Sequence, residues 1–275
     1  MSFRFPAYRT LERNLGLADA SAEANEVALR LLVRIADDPK KPNVLKLDGL
    51  AKLTEVGVSD VLAKDLLLNM HHLYLMNVHS MLEVFVTDLQ GQHPEGSAWR
   101  RGDKQDDWDF IADQISLGTA RKAFRDSPQY RITDYFRLVR NKFVHDRAAK
   151  SSRIDEKHAQ LIEGLKKDWP YGEQPMPNKF QDVGFSDFLL YTRAGKELAH
   201  DACTKLQPDT MGLVAALVRM DADTECSINF HTLKQLSNDK ARQERAAISL
   251  CRVIFNLDGA TSQEVYLELK KGPLA

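Results

Sequence analysis

SDVLAKDLLLNMHHLYLMNVHSMLEVFVTDLQG, Ser59 to Gly91, decides the fold class. Its apolar residues, from Val61 and Leu62 through Leu66, Leu67, Leu75, Val78, Leu82, Phe85 and Val86 to Leu89, fall at helical spacing and cover most of the circumference. A helix apolar nearly all round is a buried one, so this stretch predicts a long central helix. Ser59 suits the N-cap, Asp60 the first turn and Gly91 the residue after the end.

Working outward, spacings of three and four dominate the rest of the chain, and the expected class is all-α. Ser21 to Asp38 predicts a first helix with Val27, Leu31 and Ile35 on one face, stopped by the breaker DDPKKPN. A short amphipathic helix is expected around Trp108 to Ile115. A longer one opens with Ser127 and Pro128, cap and first residue, and runs to about Ala149. Further helices are expected over Ile154 to Trp169, Ser186 to Leu206, Thr210 to Met220 and a stretch ending near Leu257. EVYLEL, 264 to 269, suits a strand as well as a helix. PYGEQPMPNKFQD, Pro170 to Asp182, is rich in Pro and turn residues and marks a boundary between residues 1–170 and 171–275.

The composition excludes several classes. The 275 residues carry a formal net charge of −1, so the molecule offers no overall cationic field, and a nucleic-acid contact needs a local basic patch. Cys203, Cys226 and Cys251 are odd in number and far apart, which argues against a disulfide framework or a zinc knuckle and for a reducing compartment. MSFRFPAYRT lacks the apolar core of a signal peptide, and Leu213 to Val218 falls far short of the roughly 20 residues of a spanning helix. A cytoplasmic protein with no membrane partner is expected. No Walker-type or GxGxxG loop is present.

YFRLVRNKFVHDRA, residues 135 to 148, carries the candidate chemistry. At about 100° per residue, with Ile132 at 0°, Phe136 falls near about 40°, Val139 near about 340° and Phe143 near about 20°. These four form the stripe that docks on the core. Arg137 sits near about 140°, Asn141 near about 180°, Asp134 near about 200° and His145 near about 220°, on the opposite side. Leu138 and Tyr135 lie beside His145, and a face both polar and apolar suits an interface. Arg140, near about 80°, needs its long side chain or a second subunit to reach the imidazole.

Arg140-Asn141-Lys142-Phe143-Val144-His145 resembles the signature of the HEPN family (higher eukaryotes and prokaryotes nucleotide-binding domain): Arg, four to six residues, then His, often with Asn after the Arg. LYLMNVHSMLEVFVTDL is similar to the family's long early helix, in which an acidic residue such as Glu83 interrupts an apolar run. The resemblance covers roughly residues 20 to 170. It implies an up-and-down helical bundle, usually dimeric, here with additional C-terminal helices. It also implies a metal-independent endoribonuclease without cofactor, of the kind found in toxins and antiviral abortive-infection effectors, with a neutralising antitoxin or defence protein as a further partner. Arg153…His158 and Arg193…His200 satisfy the same loose pattern, but neither has Asn after the Arg.

RNA cleavage without a metal needs a base for the 2′-OH, an acid for the leaving 5′-oxygen and a cation for the charge growing on phosphorus. His145 is the expected proton carrier. Arg140 offers a planar fork matching two phosphate oxygens, and Arg137 is a candidate phosphate contact. Asn141 is placed to orient the imidazole or hold a phosphate oxygen, with a hydrogen bond across a helix interface as its alternative role. Glu83 is the candidate supporting acid. One copy supplies one imidazole; a two-fold dimer brings two together and supplies both acid and base. The alternative is a non-catalytic helical module whose same face serves dimerisation or partner binding.

Two other constellations are weaker. His72, Met76, His79 and Glu83 share one helical face, but Met is a poor ligand for zinc, and polar packing is the expected role. Glu197…His200 is a single Glu-x-x-His, where a di-iron bundle needs a pair.

Overall fold

The computed structural model describes residues 2–58, 60–145, 152–221, 233, 235, 236 and 239–272, and it is all-α apart from one small sheet. In chain order come α1 (Pro6–Ala36), β1 (Asp37–Asp38), β2 (Lys41–Leu45), α2 (Asp48–Thr54), β3 (Val61–Leu62), α3 (Ala63–Gln92), α4 (Asp107–Gln114) and α5 (Gly118–Asp126). Then follow α6 (Pro128–His145), α7 (Ser152–Leu165), α8 (Phe185–Lys205), α9 (Thr210–Asp221), α10 (Lys240–Phe255) and α11 (Gly259–Lys271). Two units partition the chain. The first holds Met1–Glu12, Leu82–Arg125 and Glu197–Ala275; the second holds Arg13–Met81 and Asp126–Lys196. The Pro-rich segment 170–182 falls inside the second unit.

The long helix expected from Ser59 begins at Ala63. Ser59 itself lies outside the described residues, and Val61 and Leu62 pair with Leu45 and Val44 as β3. The breaker DDPKKPN is not a plain stop either. Asp38 and Lys41 pair across a tight antiparallel turn, the Asp38 carboxylate accepts from the Lys40 backbone N–H at 3.0 Å, and Asn43 takes a left-handed φ of 72°. Short polar side chains tolerate that conformation, and Asn43 takes it inside β2, where the register shifts between Asp38 opposite Lys41 and Asp37 opposite Leu45. The little sheet and α2 close over Ala36, Leu45, Leu47 and Ala63.

α1 starts fifteen residues before the predicted Ser21. Val27, Leu31 and Ile35 do share a face, but that face is exposed, at 70%, 54% and 63%. The buried residues of its second half are Ala22, Glu26 and Ala36.

In the second unit, α6 docks as its periodicity predicts: Ile132, Phe136 and Val139 are buried, and Phe136 packs on Tyr191 of α8 with ring centroids 5.0 Å apart. Ser127 caps the helix, accepting from the Tyr130 N–H at 3.2 Å. The turn before α8 is tied by Asp187, 1% exposed, which accepts from the Asn178 and Gly184 backbone N–H groups and from Asn178 Nδ2, each at 2.8 Å.

An aromatic chain organises the first unit. Phe3 packs on Phe5 and on Phe255, Phe5 on His93, His93 on Trp99 and Trp99 on Phe110. EVYLEL is helical, within α11. Asp258 accepts from the Thr261 N–H, and Ser262, Val265, Tyr266 and Leu269 are buried, a spacing only a helix places on one side.

Candidate functional site

The candidate site lies on α6, in the second unit. The structure brings Arg140 and Asn141 together: Arg140 Nη1 donates to Asn141 Oδ1 at 3.0 Å. The guanidinium therefore bends from its own flank of the helix toward the face of Asn141, and His145 stands one turn further along that face. Arg140 Nε is enclosed and, among the described residues, has no hydrogen-bond partner. A buried donor left unspent costs about 1–3 kcal/mol, which is a reason to look for a ligand.

His145 is exposed at the C-terminal end of α6, and among the described residues nothing hydrogen-bonds to its imidazole. Asp146, Arg147, Ala149 and Lys150 lie outside the described residues. Arg137 is half-buried and held by Asp134, through Nε at 3.0 Å and Nη2 at 2.5 Å. That pairing occupies the fork expected to meet a phosphate. Lys142 is laid over the Phe180 ring, 5.5 Å from its centroid. Glu83 belongs to the part of α3 in the first unit, where its backbone carbonyl accepts from Thr87 Oγ1 at 3.1 Å.

One expectation about the face is corrected. Tyr135 does not lie open beside His145; it is 2% exposed, and its hydroxyl donates to the Asn178 carbonyl at 2.7 Å. Burial pushes the phenol far above its ordinary value. The ring was misplaced because a wheel measures angle alone, and the return of the chain at Asn178 covers that side.

A groove between α6 and α7, about 150 Å³ in volume, was not anticipated from the sequence. Tyr130, Arg131, Asp134, Leu138, Lys157 and Gln160 line it. With Ile132 at 0°, Arg131 stands near about 260° and Leu138 near about 240°, so the groove opens on the same side of α6 as His145. The unusual mixture of Tyr, Leu and Arg on a nominally solvent-facing stripe was its only signal.

The competing Arg…His pairs are engaged elsewhere. His158 Nε2 bonds to the Pro177 carbonyl at 2.8 Å, and its ring packs on Tyr135. Arg193 lies over Tyr171 in the second unit, while His200 meets Ser2 Oγ at 2.7 Å in the first. The His-rich face of α3 is packed as well: His72 stacks on Phe143 at 4.5 Å, and His79 Nδ1 is 3.1 Å from the Tyr191 hydroxyl. Among the described residues no three His, Cys, Asp or Glu side chains converge to hold a metal ion, and no helix is long and apolar enough to cross a membrane. Cys203 and Cys251 are buried thiols pushed up to about 12 by desolvation, which leaves neither poised as a nucleophile.

Comparison with known proteins adds no relative: no family model, no curated protein and no solved structure matches the chain.

Proposed function

We propose that the protein is a metal-independent endoribonuclease of HEPN type, with Arg140 and His145 as its reacting groups and Asn141 as the residue that orients them. The single observation carrying this reading is the Arg140 to Asn141 hydrogen bond at 3.0 Å, which draws the guanidinium toward the face of His145.

The chemistry then assigns itself to atoms. The His145 imidazole takes the 2′-OH proton, and the 2′-oxygen attacks phosphorus. The Arg140 guanidinium neutralises the charge growing on the non-bridging oxygens. A second imidazole, from a second copy, delivers a proton to the departing 5′-oxygen. The products are a 2′,3′-cyclic phosphate and a 5′-hydroxyl. Toxin or antiviral activity is the biological setting that accompanies such chemistry.

The test is cleavage of a single-stranded oligoribonucleotide by purified protein in excess chelator. Wild type is expected to cleave, and His145→Ala and Arg140→Ala to lose the activity while retaining their helical circular dichroism. If wild type leaves RNA intact, the non-catalytic module becomes the better description. Cleavage that survives His145→Ala would belong to a contaminant or another site.

A further inference from the structure

The apolar residues of α1 that face water are not scattered. Leu17, Ala20, Ala24, Val27 and Leu31 are all exposed, and they follow one another at spacings of three, four, three and four, with Ala28 and Ile35 beside them. That is the spacing of a coiled-coil seam. Leu17 is 64% exposed, Val27 70%, Leu31 54% and Ile35 63%. From Leu17 to Ile35 the seam extends about 27 Å at 1.5 Å per residue. Single exposed apolar side chains are ordinary, whereas a continuous stripe of them marks a surface meant to be covered. All of these residues belong to the second unit, and the opposite face of the same helix is already committed, with Ala18, Ala22, Glu26 and Ala36 buried.

We propose that this seam is where two copies of the chain associate, α1 against α1 in the antiparallel sense. Size complementarity favours that occupant. With the two-fold axis between residues 25 and 26, Ala24 faces Val27 of the second copy and Ala20 faces Leu31. The four inner layers then each set Ala against Val or Leu, as close packing requires, and at either end Leu17 lies against the stem of Arg34. A parallel pair in register would set Ala20 on Ala20 and Ala24 on Ala24, leaving two adjacent layers underfilled.

Charge points the same way. Glu23 and Arg30 stand on one edge of the seam, seven residues apart. An antiparallel two-fold brings Glu23 of one copy beside Arg30 of the other, twice. In a parallel pair these residues meet Ser21, Ala28 or Ile35, which carry no charge. Arg30 also reaches Glu26 of its own helix at 2.9 Å, but its side chain is 70% exposed and open to a second carboxylate. Two helices meeting over this length bury less than the ~800 Å² per partner of a standard interface, so association in the micromolar range is expected.

Sedimentation velocity on the full chain, over a concentration series, decides the matter. Wild type is expected to shift from monomer to dimer through the micromolar range. Val27→Glu is expected to stay monomeric with an unchanged melting temperature, since the side chain is exposed in the free protein. Glu23→Arg and Arg30→Glu should each weaken association, and the double reversal should recover it. A wild type that remains monomeric, or a Val27→Glu protein that dimerises as well as wild type, overturns the proposal. Failure of the double reversal to recover what both single reversals lost overturns the antiparallel arrangement. A wild type that remains monomeric also removes the second imidazole the nuclease needs, whereas a wild type that dimerises through this seam but leaves RNA intact overturns the nuclease alone.

Discussion

Arg140 Nη1 donates to Asn141 Oδ1 at 3.0 Å, a hydrogen bond between sequence neighbours whose backbones leave the helix about 100° apart. The bond is local, so its geometry depends on α6 alone, and α6 is anchored by Ile132, Phe136 and Val139 in the core. A guanidinium held this way loses less rotamer freedom when it meets a phosphate, because part of that ordering precedes binding.

Asn141→Ala should therefore separate orientation from stability. Asn141 is half-buried, and removing its amide leaves the core stripe untouched. The melting temperature is expected to move by no more than about a degree or two, while chelator-resistant RNA cleavage falls on the order of tenfold to a hundredfold, about 1.4 to 2.7 kcal/mol of transition-state stabilisation. Arg140→Lys is expected to be worse than Asn141→Ala, because an ammonium cannot hold a neighbouring amide and present a planar fork at once. Equal activity in all three proteins would remove Arg140 from the mechanism.

The helices of this protein are largely legible in its sequence, and the reasons are local. Ser127-Pro128 opens α6 where a cap and a first-turn proline belong, and the 132, 136, 139 stripe docks as its angles require. What periodicity does not carry is sidedness. Val27, Leu31 and Ile35 read like a core face and stand in water, because three apolar residues in line record a surface needing cover without recording what covers it. The hairpin at 37–45 was hidden for another reason. Its turn depends on Asp38 bonding to Lys40 and its register on a left-handed Asn43 within β2, and a Pro-Lys-Lys-Pro string reads equally as a simple helix stop. For the site, residue types and spacing were visible, and the Asp134 clamp on Arg137 is an i, i+3 pair within one stripe of the wheel; the burial of Tyr135 depends on Asn178, a neighbour the wheel cannot place.

Asp187 offers a test of the second unit's stability and of its pH dependence. Its carboxylate accepts three N–H groups, and burial still lifts its pKa above the ordinary aspartate value because desolvation outweighs those donors. An acid whose pKa is raised by folding stabilises the fold below its unfolded pKa and loses that contribution as pH rises through the folded value. Asp187→Ala leaves two backbone donors and one amide donor unpaired and should cost about 3 kcal/mol. In thermal melts from acid to neutral pH, Asp187→Asn should show a shallower decline with rising pH than wild type. An identical pH profile would show that the carboxyl titrates normally in the fold.

His93 sets the opposite slope in the first unit. Its Nδ1 accepts from the Glu95 N–H at 3.2 Å, so Nε2 carries the proton it shares with the Leu206 carbonyl at 3.1 Å, and the ring is neutral and fully engaged. Burial lowers its pKa, and desolvation does the same for His200. A histidine with a lowered folded pKa gives up stability as pH falls below the unfolded value of about 6.5, since the unfolded chain then binds the proton more readily. Mild acid should lower the melting temperature of wild type, and His93→Phe should reduce that acid sensitivity at the cost of the two hydrogen bonds. A melting temperature flat between neutral pH and pH 5 would contradict the assignment.

Gly96 closes the turn after α3, and its role is steric. A Cβ placed there would stand 1.8 Å from the Gln90 carbonyl oxygen and 2.8 Å from the carbonyl carbon, both backbone atoms that a rotamer change cannot move. The same turn is fastened by Gln90 Nε2 donating to the Gly96 carbonyl at 3.1 Å and by the Gly96 N–H donating to the His93 carbonyl at 2.9 Å. Gly96→Ala must push the turn away from the end of α3, which strains or breaks both bonds and disturbs the His93 ring between Phe5 and Trp99. Overpacking of this kind costs about 1–3 kcal/mol, and the rigidity of a backbone neighbour places this case at the upper end. Gly91→Ala is the control, one turn earlier with nothing within 4 Å of its Cβ, and it should be neutral or slightly stabilising because alanine favours a helix. Urea unfolding of the two variants side by side measures the difference, and equal midpoints would mean that the turn after α3 has room that its geometry denies.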